Sequence, residues 1–101
     1  MLGLARKAGQ LVSGEFSSEK AVKEGIARLV IVASDASDNT KKLFSDKCRS
    51  YAVPLRVWSD KESIGRALGQ RYRASAAVTD EGFAAALLRI MDGTPRERGT
   101  K

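Results

Sequence analysis

A chain of 101 residues that is 43% apolar, with 18 basic and 12 acidic side chains, has the make-up of one globular domain rather than a disordered segment. Its single cysteine and lack of histidine exclude an intramolecular disulfide, a zinc site of Cys and His ligands, and histidine acid–base catalysis. The net charge of +6, of which the last ten residues supply only +1 (three basic, two acidic), suits a polyanion such as nucleic acid.

Residues 1–8 read as a short helix with Leu4, Ala5 and Ala8 inward, ended by Gly9 and followed by a short strand over 10–13. A helix follows over 15–24 with Gly25 as its stop. RLVIVAS, residues 28–34, is a β-branched apolar run bounded by turn formers, the pattern of a strand covered on both faces. Ser37 or Asp38 caps the next helix, which carries Leu43, Phe44, Cys48 and Tyr51 along one side. Cys48, on that apolar stripe, is expected to be a packing residue.

Pro54 opens a strand over 55–58, and Ser59 to Glu62 has capping-box spacing before a short helix through Ile64 and Leu68. Gly69 to Arg73 is a basic loop leading into a strand of small residues, 74–78. Thr79 is expected to cap a last helix whose core stripe is Phe83, Ala84, Leu87, Leu88 and Met91. Residues 93–101, with Pro95 and few apolar groups, read as a disordered tail after a single domain over 1–92. Alternating helices and strands imply an α/β fold with helices on both faces of a central sheet. No apolar run approaches the ~18 residues of a membrane span, and the first residues are too interrupted for a signal peptide. A cytoplasmic monomer without membrane attachment is expected.

An enzyme reading finds little to stand on. Gly65 to Gly69 lacks the lysine and spacing of a phosphate-cradling loop, and no nucleophile elbow is present. Asp35, beyond the central strand, sits where α/β proteins often place function, although a turn-forming aspartate is the simpler explanation. The helix after Gly14 is more informative. At 100° per residue Phe16, Lys20 and Lys23 share one stripe, opposite Ala21, Val22 and Gly25. A phenylalanine between two lysines either stacks on a nucleic-acid base or packs against the N-terminal helix or a neighbouring loop, near a frayed helix start. Arg71, Tyr72 and Arg73 combine two guanidinium groups with an aromatic ring, as RNA-binding loops do.

These residues also carry a resemblance. The run GEFSSEKAVKEGIARLVIVASDAS, with TKKLFSDKCRSYAVPL, Ile64-Gly65 with Gly69, and AAVTDEGFAAALL, resembles the kink-turn-binding ribosomal protein family of archaea and eukaryotes. It shares most with the bacterial YlxQ branch: Ser-Gly-Glu, Asp-Ala-Ser with Asn-Thr, Asp-Lys-Cys, Val-Pro, and Val-Thr-Asp with Gly-Phe. The resemblance implies a three-layer α/β/α sandwich around a mixed four-stranded sheet. It also implies binding of sharply bent RNA with tandem sheared G·A pairs, in a ribosomal or messenger RNA. Gly14 and Lys20 match the family motif directly, and Arg71 to Ala74 occupy the loop that covers the bend. Phe16 and Ser17 stand where the family carries a base-reading Asn and Glu.

The RNA-binding set so assembled is Gly14, Glu15, Phe16, Ser17, Lys20, Lys23, Asp35, Lys61, Arg71, Tyr72 and Arg73, with no catalytic residue, metal or cofactor. A protein-interaction module that has kept the fold and lost RNA readout is the alternative. A detached recognition domain of an RNA-modifying enzyme is a third.

Overall fold

The apolar run at the centre of the sequence becomes a strand buried on both faces, and the rest of the chain is arranged to cover it. The computed structural model describes residues 2–92. In chain order the elements are α1 (Leu2–Lys7), β1 (Leu11–Ser13), α2 (Glu15–Lys23), β2 (Leu29–Val32), α3 (Asp38–Tyr51), β3 (Leu55–Val57), α4 (Lys61–Ala67), β4 (Ser75–Val78) and α5 (Glu81–Asp92).

The four strands form one sheet in the order β1-β4-β2-β3. β4 runs antiparallel to both β1 and β2, and β2 runs parallel to β3, so the sheet is mixed. Helices α2 and α3 lie on one face, and α1, α4 and α5 on the other. This is the three-layer α/β/α arrangement expected from the alternation. β4 is built from Ser75, Ala76, Ala77 and Val78, all fully buried. Such small side chains let α2 approach closely, with Ala21 and Val22 inward. Phe44 is the largest fully buried side chain. Cys48 is buried beside it on the same helix stripe, and burial pushes its thiol up to about 11, which keeps it protonated and unreactive.

Four sequence expectations shift by a residue or a face, each for a local reason. In α1 the inward residues are Leu2 and Ala5, whereas Leu4 is 61% exposed and Ala8 is exposed. A helix of under two turns offers too few apolar positions to fix its phase. Tyr51 falls off the α3 core stripe because the helix ends there, at Ala52 in the left-handed conformation, and Tyr51 stays half-exposed. Asp60, not Ser59, caps α4. Ser59 is in the left-handed region (φ 62) with its carbonyl accepting from the Ser34 N–H, and the Asp60 carboxylate accepts from the Ser63 N–H at 2.8 Å. That bond holds Asp60 below the usual carboxylate range. Asp80, not Thr79, caps α5. The Thr79 N–H is used to extend the sheet to the Gln10 carbonyl, and Asp80 takes the Phe83 N–H at 2.9 Å. Ser37 caps α3 through the Thr40 N–H.

Met1 and residues 93–101, with the expected tail, lie outside the described residues. Among the described residues no helix is long and apolar enough to cross a membrane.

Candidate nucleic-acid interface

The strand directions bring one set of connections to a single end of the sheet. The chain leaves β1, β2 and β3 at that end and enters β4 there. Gly14, Asp35, Lys61 and Arg73 therefore become neighbours despite their spread in sequence. Short hydrogen bonds fix them. The Gly14 N–H donates to the Ser75 carbonyl at 2.9 Å, and the Ala33 N–H to the Ala74 carbonyl at 2.8 Å. The Arg73 N–H donates to the Lys61 carbonyl at 3.1 Å, while its Nε donates to Ser13 Oγ at 3.0 Å. The Lys61 N–H in turn donates to Asp35 Oδ1 at 2.9 Å.

Gly14 enters α2 at φ 92, ψ 157, a region essentially confined to glycine. As the cap it offers no side chain, so the first-turn N–H groups of α2 stay open to an outside acceptor. Nothing lies within 4 Å of where a Gly14 Cβ would be, so the helix start is sterically open on that side. Glu15 is turned to α3, its Oε1 accepting from Thr40 Oγ1 at 3.3 Å. Ser17 is half-buried.

The Phe16 ring is 79% exposed. It shares shallow grooves with Lys20 and Lys23, and with Ser17, Val12 and Ile26. The alternative of packing against a neighbouring loop does not occur. Phe16→Ala is expected to change folding stability by no more than about 0.5 kcal/mol, against the 3–5 kcal/mol typical of removing a core ring. Urea unfolding of the two proteins measures it, and a loss in the core range contradicts the exposed position. Lys20 has no carboxylate partner among the described residues, whereas Lys23 lies 3.5 Å from Glu19. An exposed pair of that kind is weak and easily exchanged for a phosphate.

In the loop, Arg71 and Tyr72 are exposed and Arg73 is half-buried by its tie to Ser13. The Arg71 guanidinium carbon lies 5.8 Å from the Tyr72 ring centroid, a cation–π distance that presents both groups together. Gly65 of α4 sits against the loop backbone. A Cβ there would meet the Arg71 carbonyl and the Tyr72 nitrogen at 2.8 Å. The sequence marks this glycine only through the Ile64-Gly65 match of the family resemblance, without showing what it packs against. Ser13, which holds Arg73, stands in the matched Ser-Gly-Glu run, but nothing in the sequence points to its bond with Arg73. Asp35 serves as a brace, joining the turn after β2 to the start of α4.

The site is thus an open helix start, an exposed ring with a free ammonium, and a braced basic-aromatic loop, all on one end of the sheet. Its groups are hydrogen-bond donors, cations and π faces, suited to phosphates and unpaired bases.

Comparison with known proteins agrees with the fold. The model of the ribosomal protein L7Ae/L30e/S12e/Gadd45 family matches residues 1–88. The chain is 41% identical over 92 residues to the RNA-binding protein YlxQ of Bacillus subtilis (strain 168), covering 91% of this chain and 92% of that protein. It is 34% identical over 93 residues to the protein of the same name from Enterococcus faecium, covering 92% and 89%. A solved structure of a protein with unknown function from Bacillus halodurans C is similar with a TM-score of 0.87 and 44% identity, covering 90% and 92%. A 15.5kD RNA binding protein from Giardia lamblia shares the fold with a TM-score of 0.75 at 24% identity, covering 86% of this chain and 77% of that one.

Proposed function

The chain belongs to the ribosomal protein L7Ae/L30e/S12e/Gadd45 family, and we propose that it acts within it as a non-enzymatic protein that binds structured RNA at a kink-turn-like bend. One observation carries this reading: the Gly14-led start of α2 and the Arg71–Arg73 loop flank the same end of the sheet and are tied there by the Arg73–Ser13 bond. A bent RNA presents a tight backbone and splayed bases over a small area, and these two elements address both features. The names of the two bacterial relatives support RNA as the partner.

In this reading the open N–H groups of α2 and the Lys20 ammonium take acceptors on the RNA. The Phe16 ring stacks on an unpaired base, worth about 1–3 kcal/mol. Tyr72 and the two arginines cover the bend. Glu15 and Asp35 orient the helix start and the α4 turn and do not meet phosphate directly. The protein works in the cytoplasm as a monomer, on ribosomal RNA or as a regulator of a messenger.

Lys20→Ala, and separately Arg71→Ala with Arg73→Ala, tests the two halves. Each is expected to weaken binding to a kink-turn RNA hairpin. Lys20→Ala leaves the unfolding midpoint nearly unchanged, since exposed charges contribute within about ±0.5 kcal/mol. The double arginine variant also loses the half-buried Arg73–Ser13 bond and about 0.5–1.5 kcal/mol with it. Wild-type affinity in both proteins contradicts the site. A double arginine variant that melts far lower yet binds normally marks those arginines as structural.

A further inference from the structure

Beyond the loop, the basic surface continues onto an element that the family motif does not include. Arg6 and Lys7 form the last turn of α1, and both side chains are exposed. α1 packs against α4, with Gly3 placed so that a Cβ would lie 3.2 Å from the Ala67 carbonyl. The Arg6 guanidinium reaches the base of the basic loop: its Nη1 lies 3.7 Å from where a Gly69 Cβ would be. From Gly69 the chain runs back along α4, past Gly65, to the Arg73–Ser13 tie at the end of the sheet. Arg6, Arg71 and Arg73 therefore lie along one path, with Lys7 beside it. Lys61, whose carbonyl takes the Arg73 N–H, and Gly69 lie at opposite ends of α4, a helix of 7 residues and roughly 10 Å, so the path is longer than a single phosphate contact.

None of these four cations has a carboxylate partner within ion-pair distance among the described residues. Arg66, also close by, is paired to Glu62 at 2.9 Å. Basic residues in a last helical turn also complement the helix dipole. That role does not call for a guanidinium laid over the root of the loop, nor for its being left without a counter-ion.

We propose that Arg6 and Lys7 hold phosphates of the RNA helix adjoining the bend, giving a second, sequence-independent contact that sets the direction in which that helix leaves the protein. This rests on the RNA-binding reading above and adds a separate element of the RNA to it. The contact is electrostatic and reads no base, so its signature is in the salt dependence and in the length of the RNA helix.

The test compares wild type, Arg6→Gln with Lys7→Gln, and Arg71→Ala with Arg73→Ala. Glutamine keeps the length and helix propensity of the side chains and removes only charge. The probe is a kink-turn RNA with two long flanking helices, and two versions in which one helix or the other is cut short. The glutamine variant is expected to flatten the slope of log affinity against log salt by about 1 per lost phosphate contact, equally for helices of different sequence. Its deficit disappears when the contacted helix is the one cut short. An unchanged slope in the glutamine variant, with a flatter slope in the loop variant, overturns this inference and leaves the loop reading standing. Unchanged slopes in both overturn the two together. A glutamine variant that melts lower but keeps the wild-type slope assigns the pair to the helix dipole and likewise overturns it.

Discussion

Affinity for structured RNA is expected to fall on the order of 20- to 500-fold when salt is raised from 50 to 200 mM. The net charge without the last ten residues is about +5, and Lys20, Arg71 and Arg73 carry no competing carboxylate among the described residues. Each phosphate they neutralise releases counter-ions, giving a slope of about −0.7 to −0.9 per contact, and about three to five contacts give the range above. Filter binding at several salt concentrations measures the slope. Affinity that stays flat across that range, or no binding at 50 mM, favours a protein-interaction module that has kept the fold and lost RNA readout. A fall steeper than this range requires more phosphate contacts than the helix start and loop provide, and the α1 cations are the next available.

Much of this architecture is legible in the sequence where one signal dominates. Leu29 to Val32 reads as a doubly covered strand because four β-branched or leucine residues lie between turn formers, and all four are fully buried. The α5 stripe is equally plain, since Phe83, Ala84, Leu87, Leu88 and Met91 recur at helical spacing, with Ala84 and Leu87 buried. Reading fails where two neighbours compete for one role. Ser59 and Thr79 both look like helix caps, yet the backbone of each is committed to pairing with another strand's connection, and the next aspartate caps instead.

The site divides in the same way. The stripe of Phe16, Lys20 and Lys23 follows from helical periodicity alone, and Gly14 stands out by its place before that helix and by the family motif. What holds the loop against that helix does not. The Arg73–Ser13 bond joins positions 60 residues apart, and no local pattern marks a half-buried serine as the acceptor for a distant guanidinium. The contact between Gly65 and the Arg71–Tyr72 backbone is tertiary in the same sense. Local chemistry marks the candidate groups, and topology decides which of them meet.

The second large effect concerns the two positions where the chain departs from the family pattern. By the family resemblance, Phe16 and Ser17 stand where a base-reading Asn and Glu are expected, at the open start of α2. A phenylalanine offers a π face and no base-edge hydrogen bond, and serine is shorter than glutamate and uncharged. Restoring both groups, as Phe16→Asn with Ser17→Glu, is expected to raise discrimination by about 1–3 kcal/mol for each base contact regained, by analogy with base-edge pairs in DNA. Folding should tolerate the change, since the ring is exposed and Ser17 is only half-buried. The most direct measurement titrates wild type and this double variant against two RNAs, a kink-turn with tandem G·A pairs and the same RNA with those pairs disrupted. A preference of wild type for the intact kink-turn, widened in the variant, is the predicted result. Equal affinity for the two RNAs, before and after restoration, contradicts kink-turn recognition by this surface.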